Sequence, residues 1–203
     1  MDENTLIDLA KKGELDAFNQ LVLSYQDMAF NLAYRIMNDD AAAADATQEA
    51  VISMYRRIDT FRGGSFKAWF LRIVSNQCYD NLRWQKRRPS VVFEPETDDG
   101  ERFDSPAWLE DDAPKPEDQL ERSELEAAIQ HCINALPPNF KTVFLHVDVN
   151  GEDYETVAEI IQSPVGTVKS RLARARQRMQ GCLQGFRELL PEIFRLNSED
   201  EDD

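Results

Sequence analysis

The chain has 203 residues, of which 38 are acidic and 23 basic, and its formal net charge is -15. No run of about 18 apolar residues occurs, and the N-terminus lacks the basic-then-apolar order of a signal peptide, so we expect a cytoplasmic protein that does not insert into a membrane. Cys78, Cys132 and Cys182 are far apart and odd in number, which favours reduced thiols buried in helices over a disulfide framework or a zinc site.

The first part of the chain, residues 1–88, has helical periodicity almost throughout and predicts four helices. A short first helix precedes a second helix over about 18–36 and a third over about 41–58, with an Asn-Asp-Asp turn between the last two. A flexible Arg-Gly-Gly-Ser loop leads into a fourth helix over about 66–86, which Ser65 can cap.

The predicted fourth helix bears a stripe in which aromatic and cationic side chains alternate. At spacings of three and four residues the stripe contains Trp69, Arg72, Asn76, Tyr79 and Arg83. Aromatic rings can stack on unpaired bases while guanidinium groups hold the phosphate backbone. Because the range 62–88 has seven basic residues and one acid, the stripe predicts a surface for single-stranded DNA. Packing of Trp69 and Tyr79 in the core is the alternative.

Two segments hold most of the negative charge. Residues 94–126 have a balance of -11 and residues 188–203 a balance of -6, which leaves +2 for the rest of the chain. Prolines and weak periodicity predict an acidic flexible linker at 89–118. For the acidic C-terminal extension at 187–203 one hypothesis is that Glu199–Asp203 competes with DNA for a cationic helix. The alternatives are a plain solubilising tether for the linker and a disordered tail for the extension.

Residues 119–186 are helical again, and their clearest feature is a pair of short helices joined by a tight turn. The first covers about 154–161, and the second begins with Ser163 as N-cap and Pro164 as its first residue. No acidic residue occurs between Ile160 and Arg187. This pattern predicts a helix-turn-helix whose second helix enters the major groove. A basic helix that only adds solubility is the alternative.

The outward face of that second helix combines small and cationic side chains. Small residues permit close approach to base edges, and lysine or arginine can reach bases or phosphates. The candidate readers are Thr167, Lys169, Ser170, Arg171, Ala173 and Arg174.

The motifs DATQEAV at 45–51 and FRGGSFKAWF at 61–70 resemble regions 2.2 to 2.4 of extracytoplasmic-function sigma factors. The motif SPVGTVKSRLARAR at 163–176 is similar to region 4.2 of the same family. The resemblance implies an all-α fold with a four-helix region 2 at 1–88 and a helix-turn-helix region 4 at 119–186. It also implies a subunit that directs RNA polymerase to promoters and has neither catalytic chemistry nor a cofactor.

The resemblance further implies roles for matching residues. Asp45, Gln48 and Glu49 match the helix that binds the polymerase β′ clamp. The family's segment that accepts a flipped base of the -10 element is matched by the loop Arg62, Gly63, Gly64, Ser65 and Phe66. Trp69, Arg72 and Asn76 match the helix that holds the melted strand, beside the phosphate-binding Arg83. Lys169, Ser170, Ala173 and Arg174 match the -35 readers, with Ala173 smaller than the family's usual side chain.

Further partners are implied by the resemblance alone. They are the polymerase β flap and an anti-sigma factor, which in a membrane-bound form would hold the protein at the membrane. In the family, the linker threads through the active-site cleft and the RNA exit channel, where an acidic segment would mimic RNA.

Three other functions compete with this interpretation. A stand-alone helix-turn-helix regulator needs dimer symmetry, and no coiled-coil heptad is visible. An adaptor that mimics nucleic acid leaves both cationic faces unexplained. An enzyme fits least, because His131 and His146 have no metal-ligand partners in the sequence pattern and no phosphate-binding or nucleophile motif occurs.

Overall fold

The computed structural model describes residues 1–87 and 116–190, without the side chains of 116–122. Within these ranges the chain is helical and contains no strand, which confirms the all-α prediction. None of the helices described is long and apolar enough to span a membrane. Most of the expected linker, Arg88 and the C-terminal extension beyond Leu190 lie outside the described residues, as does the proposed competition by Glu199–Asp203.

The first unit contains four α-helices close to the ranges that periodicity predicts. They are α1 (Glu3–Lys11), α2 (Leu15–Met37), α3 (Asp40–Arg57) and α4 (Phe66–Arg87), with a 3-10 turn at Ile58–Thr60. Asp2 and Asp39 accept hydrogen bonds from backbone amides in the first turns of α1 and α3, as N-caps do. Asn38 ends α2 in the left-handed conformation, with φ 56°.

The second unit contains four more helices, two of them in the predicted helix-turn-helix. They are α5 (Pro116–Ala135), α6 (Pro138–Phe144), α7 (Tyr154–Ile161) and α8 (Val165–Leu183). A π-turn at Leu145–Val149 extends α6, and a 3-10 segment at Gln184–Leu189 follows α8. Gln162, with φ 49°, makes the tight turn between α7 and α8.

The two units pack against each other through α4. Phe70 and Val74 of α4 are fully buried in the first unit, as the periodicity predicts. The same apolar cluster continues into the second unit through Ile133, Leu145 and Ile160. The sequence predicts two helical units on a tether, and the structure adds that they are docked.

The cysteine prediction is wrong for two of the three thiols. Cys132 of α5 and Cys182 of α8 form a disulfide whose Cα atoms are 5.7 Å apart, while Cys78 is free and buried in α4. The bond joins the first and last α-helices of the second unit across 50 residues. Sequence spacing suggested no pairing because the two helices meet only in the folded structure.

Candidate nucleic-acid interfaces

Except for Tyr79, the aromatic and cationic stripe of α4 lies at the surface, beside a cleft between α3 and α4. Asn76 and Arg83 are exposed, and Trp69 and Arg72 are half-buried. The cleft has a volume of about 240 Å³ and is lined by Ser53, Arg57, Thr60, Trp69, Arg72, Ile73, Asn76, Gln77 and Asp80. Stacking and cationic side chains therefore line one hollow, a geometry that suits an unstacked base better than a duplex.

Trp69 is held in place by two phenylalanine rings. Its ring centroid lies 5.4 Å from that of Phe61 and 5.7 Å from that of Phe66. Aromatic pairs at such distances stabilise a fixed ring orientation. The two readings of Trp69 from the sequence are therefore compatible, because one side of the indole packs on the core and another lines the cleft.

The loop before α4 is shaped by its glycines and by Ser65. Gly63 and Gly64 adopt φ values of 100° and 86°, which only glycine enters without strain. The Ser65 hydroxyl accepts a hydrogen bond from the Ala68 amide at 3.1 Å, so it caps α4 as predicted. Arg62 is exposed beside this turn, where its guanidinium can meet a phosphate.

Phe66, the last residue of the predicted base-binding loop, lies in the core and not at the surface. Its side chain is fully buried and packs against Tyr25, Phe61 and Trp69. A buried ring cannot contact DNA in this arrangement, because α4 begins at Phe66 and turns its first side chain into the core. Phe66 instead supports the loop and Trp69.

Tyr79 of the stripe faces the second unit instead of solvent. Its hydroxyl donates to the Pro138 carbonyl oxygen at 3.2 Å and accepts from the Thr142 hydroxyl at 2.9 Å. Burial raises the pKa of Tyr79 to about 12. In the docked arrangement, this ring is therefore not available for stacking on a base.

The candidate polymerase-binding residues lie on one exposed face of α3. Asp45, Gln48 and Glu49 are all exposed. Glu49 also accepts hydrogen bonds from Gln77 at 2.6 Å and from Asn81 at 3.1 Å, both on α4. The carboxylate of Glu49 therefore links the α3 face to α4, a connection that the sequence motif did not predict.

The outer face of α8 is open and cationic. Lys169, Ser170, Ala173 and Arg174 are exposed, and Thr167 and Arg171 are half-exposed. The inner face is buried at Val168, Leu172, Ala175 and Met179, as its periodicity predicts. Lys169 lies over the Tyr154 ring with its Nζ 5.6 Å from the centroid, which holds the lysine near the start of the helix.

The beginning of α8 differs by one residue from the prediction. Pro164 occupies the N-cap position and accepts from the Thr167 amide at 2.8 Å. The Ser163 hydroxyl instead donates to the Ile161 carbonyl oxygen at 3.3 Å. The extended ψ of 149° at Pro164 leaves it outside the helix, so Ser163 stands too early to cap.

Arg176, within the basic run of α8, has an intramolecular partner. Its guanidinium binds both carboxylate oxygens of Asp148, at 2.9 Å and 2.6 Å. A two-pronged pair of this kind fixes the arginine plane. Arg176 therefore joins α8 to the π-turn, whereas Arg174 on the outer face is the better candidate for DNA.

Three buried polar side chains next to α4 were not predicted from the sequence. His146 is fully buried with its Nε2 3.3 Å from the Ser75 hydroxyl, and burial lowers its pKa to about 4. Lys141 donates to the Ile36 carbonyl oxygen at 3.0 Å, and burial lowers its pKa to about 8. Glu152 pairs with Lys67 of α4 at 2.8 Å.

No group of three or more histidine, cysteine, aspartate or glutamate side chains arranged to hold a metal ion occurs among the described residues. The chemistry that the described surfaces offer is hydrogen bonding, stacking and charge.

Two family models match the chain in the order of the two helical units. Sigma-70 region 2 matches residues 21–88, and Sigma-70, region 4 matches residues 126–179. The first match covers α3, α4 and the glycine loop, and the second covers α6, α7 and most of α8. The two cationic helices therefore fall in separate family regions.

Relatives align along almost the whole chain. The RNA polymerase sigma-H factor of Pseudomonas aeruginosa is 36% identical over 187 residues, which cover 90% of this chain and 94% of the relative. The ECF RNA polymerase sigma-E factor of Haemophilus influenzae is 35% identical, with 91% and 96% covered. That of Escherichia coli K12 is 33% identical, with 91% and 95% covered.

Solved structures share the fold at lower identity. CnrH in complex with the cytosolic domain of CnrY superimposes with a TM-score of 0.64 at 20% identity and covers 90% of this chain and 97% of CnrH. The sigma factor RpoE in complex with the anti-sigma factor NepR from Bartonella quintana gives a TM-score of 0.59 at 23% identity, with 82% and 96% covered.

Proposed function

Because the chain belongs to the extracytoplasmic-function sigma factors of the sigma-70 family, we propose how its two units divide promoter recognition. Residues 1–88 form region 2, which reads the melted -10 element and binds the polymerase β′ clamp. Residues 119–186 form region 4, which reads the duplex -35 element and contacts the β flap. The residues between them form the linker.

One observation supports this division above the others: two cationic helices of different shape stand on separate units of an acidic chain. Helix α4 has its stripe at a cleft lined by Trp69 and Arg72, whereas α8 has an exposed face of small and basic side chains. Melted strands need pockets and stacking, and an intact major groove needs a projecting helix.

For the -10 element, the cleft offers a place for the melted strand. Trp69 would stack on a base, Arg72 would hold the phosphate backbone, and Asn76 would hydrogen-bond a base edge. Arg62, Gly63, Gly64 and Ser65 would frame the flipped base, and Arg83 would bind phosphate further along α4. Unstacking a base costs a few kcal/mol, so the stacking surface has to replace the lost contacts.

For the -35 element, the first two turns of α8 enter the major groove. Lys169 and Arg174 would contact bases or phosphates, and Ser170 would donate or accept at a base edge. The methyl group of Ala173 suits the methyl of a thymine better than a polar edge. Thr167 and Arg171 would flank these contacts.

For polymerase, the exposed face of α3 offers acceptors to a basic partner. Asp45 and Gln48 are exposed and would bind the β′ clamp together with Glu49. Because charge-assisted contacts between complementary surfaces speed association, we expect this face to govern capture of the core enzyme. An anti-sigma factor would compete for these surfaces and keep the protein inactive, at the membrane if that partner is membrane-bound.

Run-off transcription tests the proposal directly. Purified core polymerase with this protein and fragments of its source genome should give discrete start sites, with -35 and -10 sequences shared upstream. Absence of any specific start would contradict the proposal. Lys12→Ala removes an exposed lysine that lies outside α4 and α8 and serves as the control for Lys169→Ala, which should reduce initiation about fivefold through lost groove contacts.

A further inference from the structure

A second cleft lies toward the C-terminal end of α4, where this helix meets the corner between α5 and α6. This α4–α6 cleft has a volume of about 440 Å³, within the range of about 300–1,000 Å³ that small-molecule sites occupy. Of the described residues that line it, Arg83, Lys86 and Lys141 are cationic and none is acidic. In a chain with a net charge of -15, such a lining indicates a place for an anion.

Lys141 is a buried cation for which the described part of the chain supplies no carboxylate partner. The residue is 6% exposed, and its ammonium group donates to the Ile36 carbonyl oxygen at 3.0 Å and to Asn134 Oδ1 at 2.8 Å. An ammonium group has three N–H donors, so one remains for an acceptor in the cleft. Burial also lowers the pKa of Lys141 to about 8. Because a buried charge is stabilised by an opposite charge, an anionic ligand would complete the surroundings of this lysine.

The rim of the α4–α6 cleft continues the positive charge of its buried wall. Arg83 and Lys86 are both exposed, and residues three apart share one face of a helix. Arg83 also pairs with Asp80, so Lys86 is the rim cation better able to bind a ligand. A buried ammonium and an exposed one on the same cleft favour a ligand with more than one negatively charged oxygen.

The rest of the lining suits an aromatic base attached to that anion. Leu82 and Leu136 provide apolar surface, and Asn134 and Asn139 provide side-chain amides. Amides donate and accept hydrogen bonds, as the edges of nucleobases require. Apolar walls with a few polar groups are typical of sites for organic ligands, whereas a hydrated inorganic anion gains nothing from leucine side chains. The lining therefore combines surfaces for phosphate and for a base.

We propose that the α4–α6 cleft binds a nucleoside phosphate, with the phosphates against Lys86 and Lys141 and the base on the apolar side of the cleft. The site goes beyond promoter recognition, because neither lysine belongs to the residues assigned to the -10 or the -35 element. The ligand contacts α4 and α6 together, so its binding stabilises the folded protein by mass action.

Calorimetric titration of the full-length protein tests the class of ligand. The probes are ADP, GDP, CDP and UDP, with adenosine and inorganic pyrophosphate as the separate halves of the ligand. We expect at least one nucleoside diphosphate to bind about tenfold more tightly than either half, because only the whole molecule uses both the cationic and the apolar walls.

Three variants and two matched controls locate the contacts. Lys141→Met removes the buried ammonium group and should weaken binding about tenfold. Lys86→Gln and Asn139→Asp alter exposed residues, so both proteins should fold, and each should bind about threefold more weakly through the loss of a positive or the gain of a negative charge. Lys12→Gln and Asn31→Asp make the same changes at exposed positions outside the cleft and should bind like the unmodified protein.

Hydrogen exchange separates this site from the cationic outer face of α8, which attracts any polyanion. We expect the nucleotide to slow exchange in residues 79–86 and 134–142 and to leave residues 165–174 unchanged. The proposal is overturned if no nucleotide binds more tightly than pyrophosphate, or if slower exchange is confined to 165–174. It is also overturned if Lys86→Gln and Asn139→Asp both bind like their controls.

A strand of DNA carries the same chemical groups as a free nucleotide, so oligo(dT) is titrated into the same proteins. We expect its affinity to be equal in Asn139→Asp and Asn31→Asp. An oligo(dT) affinity that falls about threefold in Asn139→Asp alone, with displacement of the bound nucleotide, would assign the cleft to the melted strand and overturn a separate nucleotide site.

Discussion

Helices α4 and α8 are both rich in arginine and lysine, yet their surroundings differ. The outer face of α8 is exposed to solvent, while α4 lies between the cleft that it forms with α3 and the docked second unit. The comparison teaches that basic composition identifies a nucleic-acid surface but not its form. Neighbouring elements decide whether a cationic helix fits a groove or a separated strand.

The two helices are also stabilised differently. Helix α8 is joined covalently to α5 by the disulfide Cys132–Cys182. It is also joined to the π-turn by the ion pair between Arg176 and Asp148. Helix α4 is held by non-covalent contacts instead, with fully buried Phe70 and Cys78 and an ion pair from Lys67 to Glu152. Variants in the disulfide, in the docking surface on α4, in the α4 cleft and on the outer face of α8 should therefore affect the two helices differently.

The largest expected effect is on the covalent tie of α8. Cys182→Ser should lower the free energy of unfolding of region 4 by about 4 kcal/mol, because the disulfide closes a loop of 50 residues in the unfolded chain. Hydrogen exchange of oxidised protein should show faster opening of α8 and little change in α4. Cys78→Ala is the control, since reductant should still destabilise that variant. An equal increase in the hydrogen-exchange rates of α4 and α8 would contradict the proposed difference in how the two helices are stabilised.

The next effect concerns the docking surface on α4. Burial puts the pKa of His146 at about 4 in the folded protein, below its ordinary 6.5, so the unfolded chain binds more protons between these values. Stability should therefore fall as pH drops through this window, by about 2 kcal/mol from pH 7 to pH 5. Denaturant unfolding checks this.

In the same experiment, His146→Gln should lose most of this pH dependence. His131→Gln should keep it, because His131 is exposed on α5. A slope that is unchanged by His146→Gln would show that other groups are responsible.

A smaller effect is expected in the α4 cleft. Trp69→Ala should reduce open-complex formation by about tenfold, near the lower end of the energy of stacking one base. Fluorescence of 2-aminopurine in the -10 strand would measure it. Trp69→Phe keeps a stacking ring and should retain most activity. A loss of similar size in Trp69→Phe would indicate that the indole acts through packing on Phe61.

The smallest effect concerns the face of α8. Arg174→Ala should weaken binding of holoenzyme to a -35 duplex about fivefold and reduce the salt slope by about 1, as expected for one lost phosphate contact. Gln177→Ala, which is exposed further along α8, is the uncharged control. An unaltered salt dependence with lost sequence preference would instead assign Arg174 to a base edge.

Hydrophobic periodicity in the sequence was sufficient to predict those features of the fold that are set within a single helix. It predicted the buried face of α4 at Phe70 and Val74, and the buried face of α8 at Val168 and Leu172. It also predicted the reach of α1 to α4 within a few residues. A turn of 100° per residue determines which side chains share a face.

Contacts between distant segments were not predictable in this way. Tyr79 and His146 are oriented by the docking of region 4 on α4, and no local pattern encodes which helix will pack there. The Cys132–Cys182 bond depends on the same long-range arrangement. The burial of Phe66 was not predicted either, because a motif gives the loop's position in the chain without the direction of each side chain.

A crossed binding experiment tests the division of labour between α4 and α8 most directly. Holoenzymes with Trp69→Ala and Arg72→Ala, or with Lys169→Ala and Arg174→Ala, would be titrated with a single-stranded -10 oligonucleotide and with a -35 duplex. We expect each pair to lose about tenfold affinity for its own DNA and to keep the other within about twofold. Equal losses on both DNAs for both pairs would contradict separate roles for the two helices.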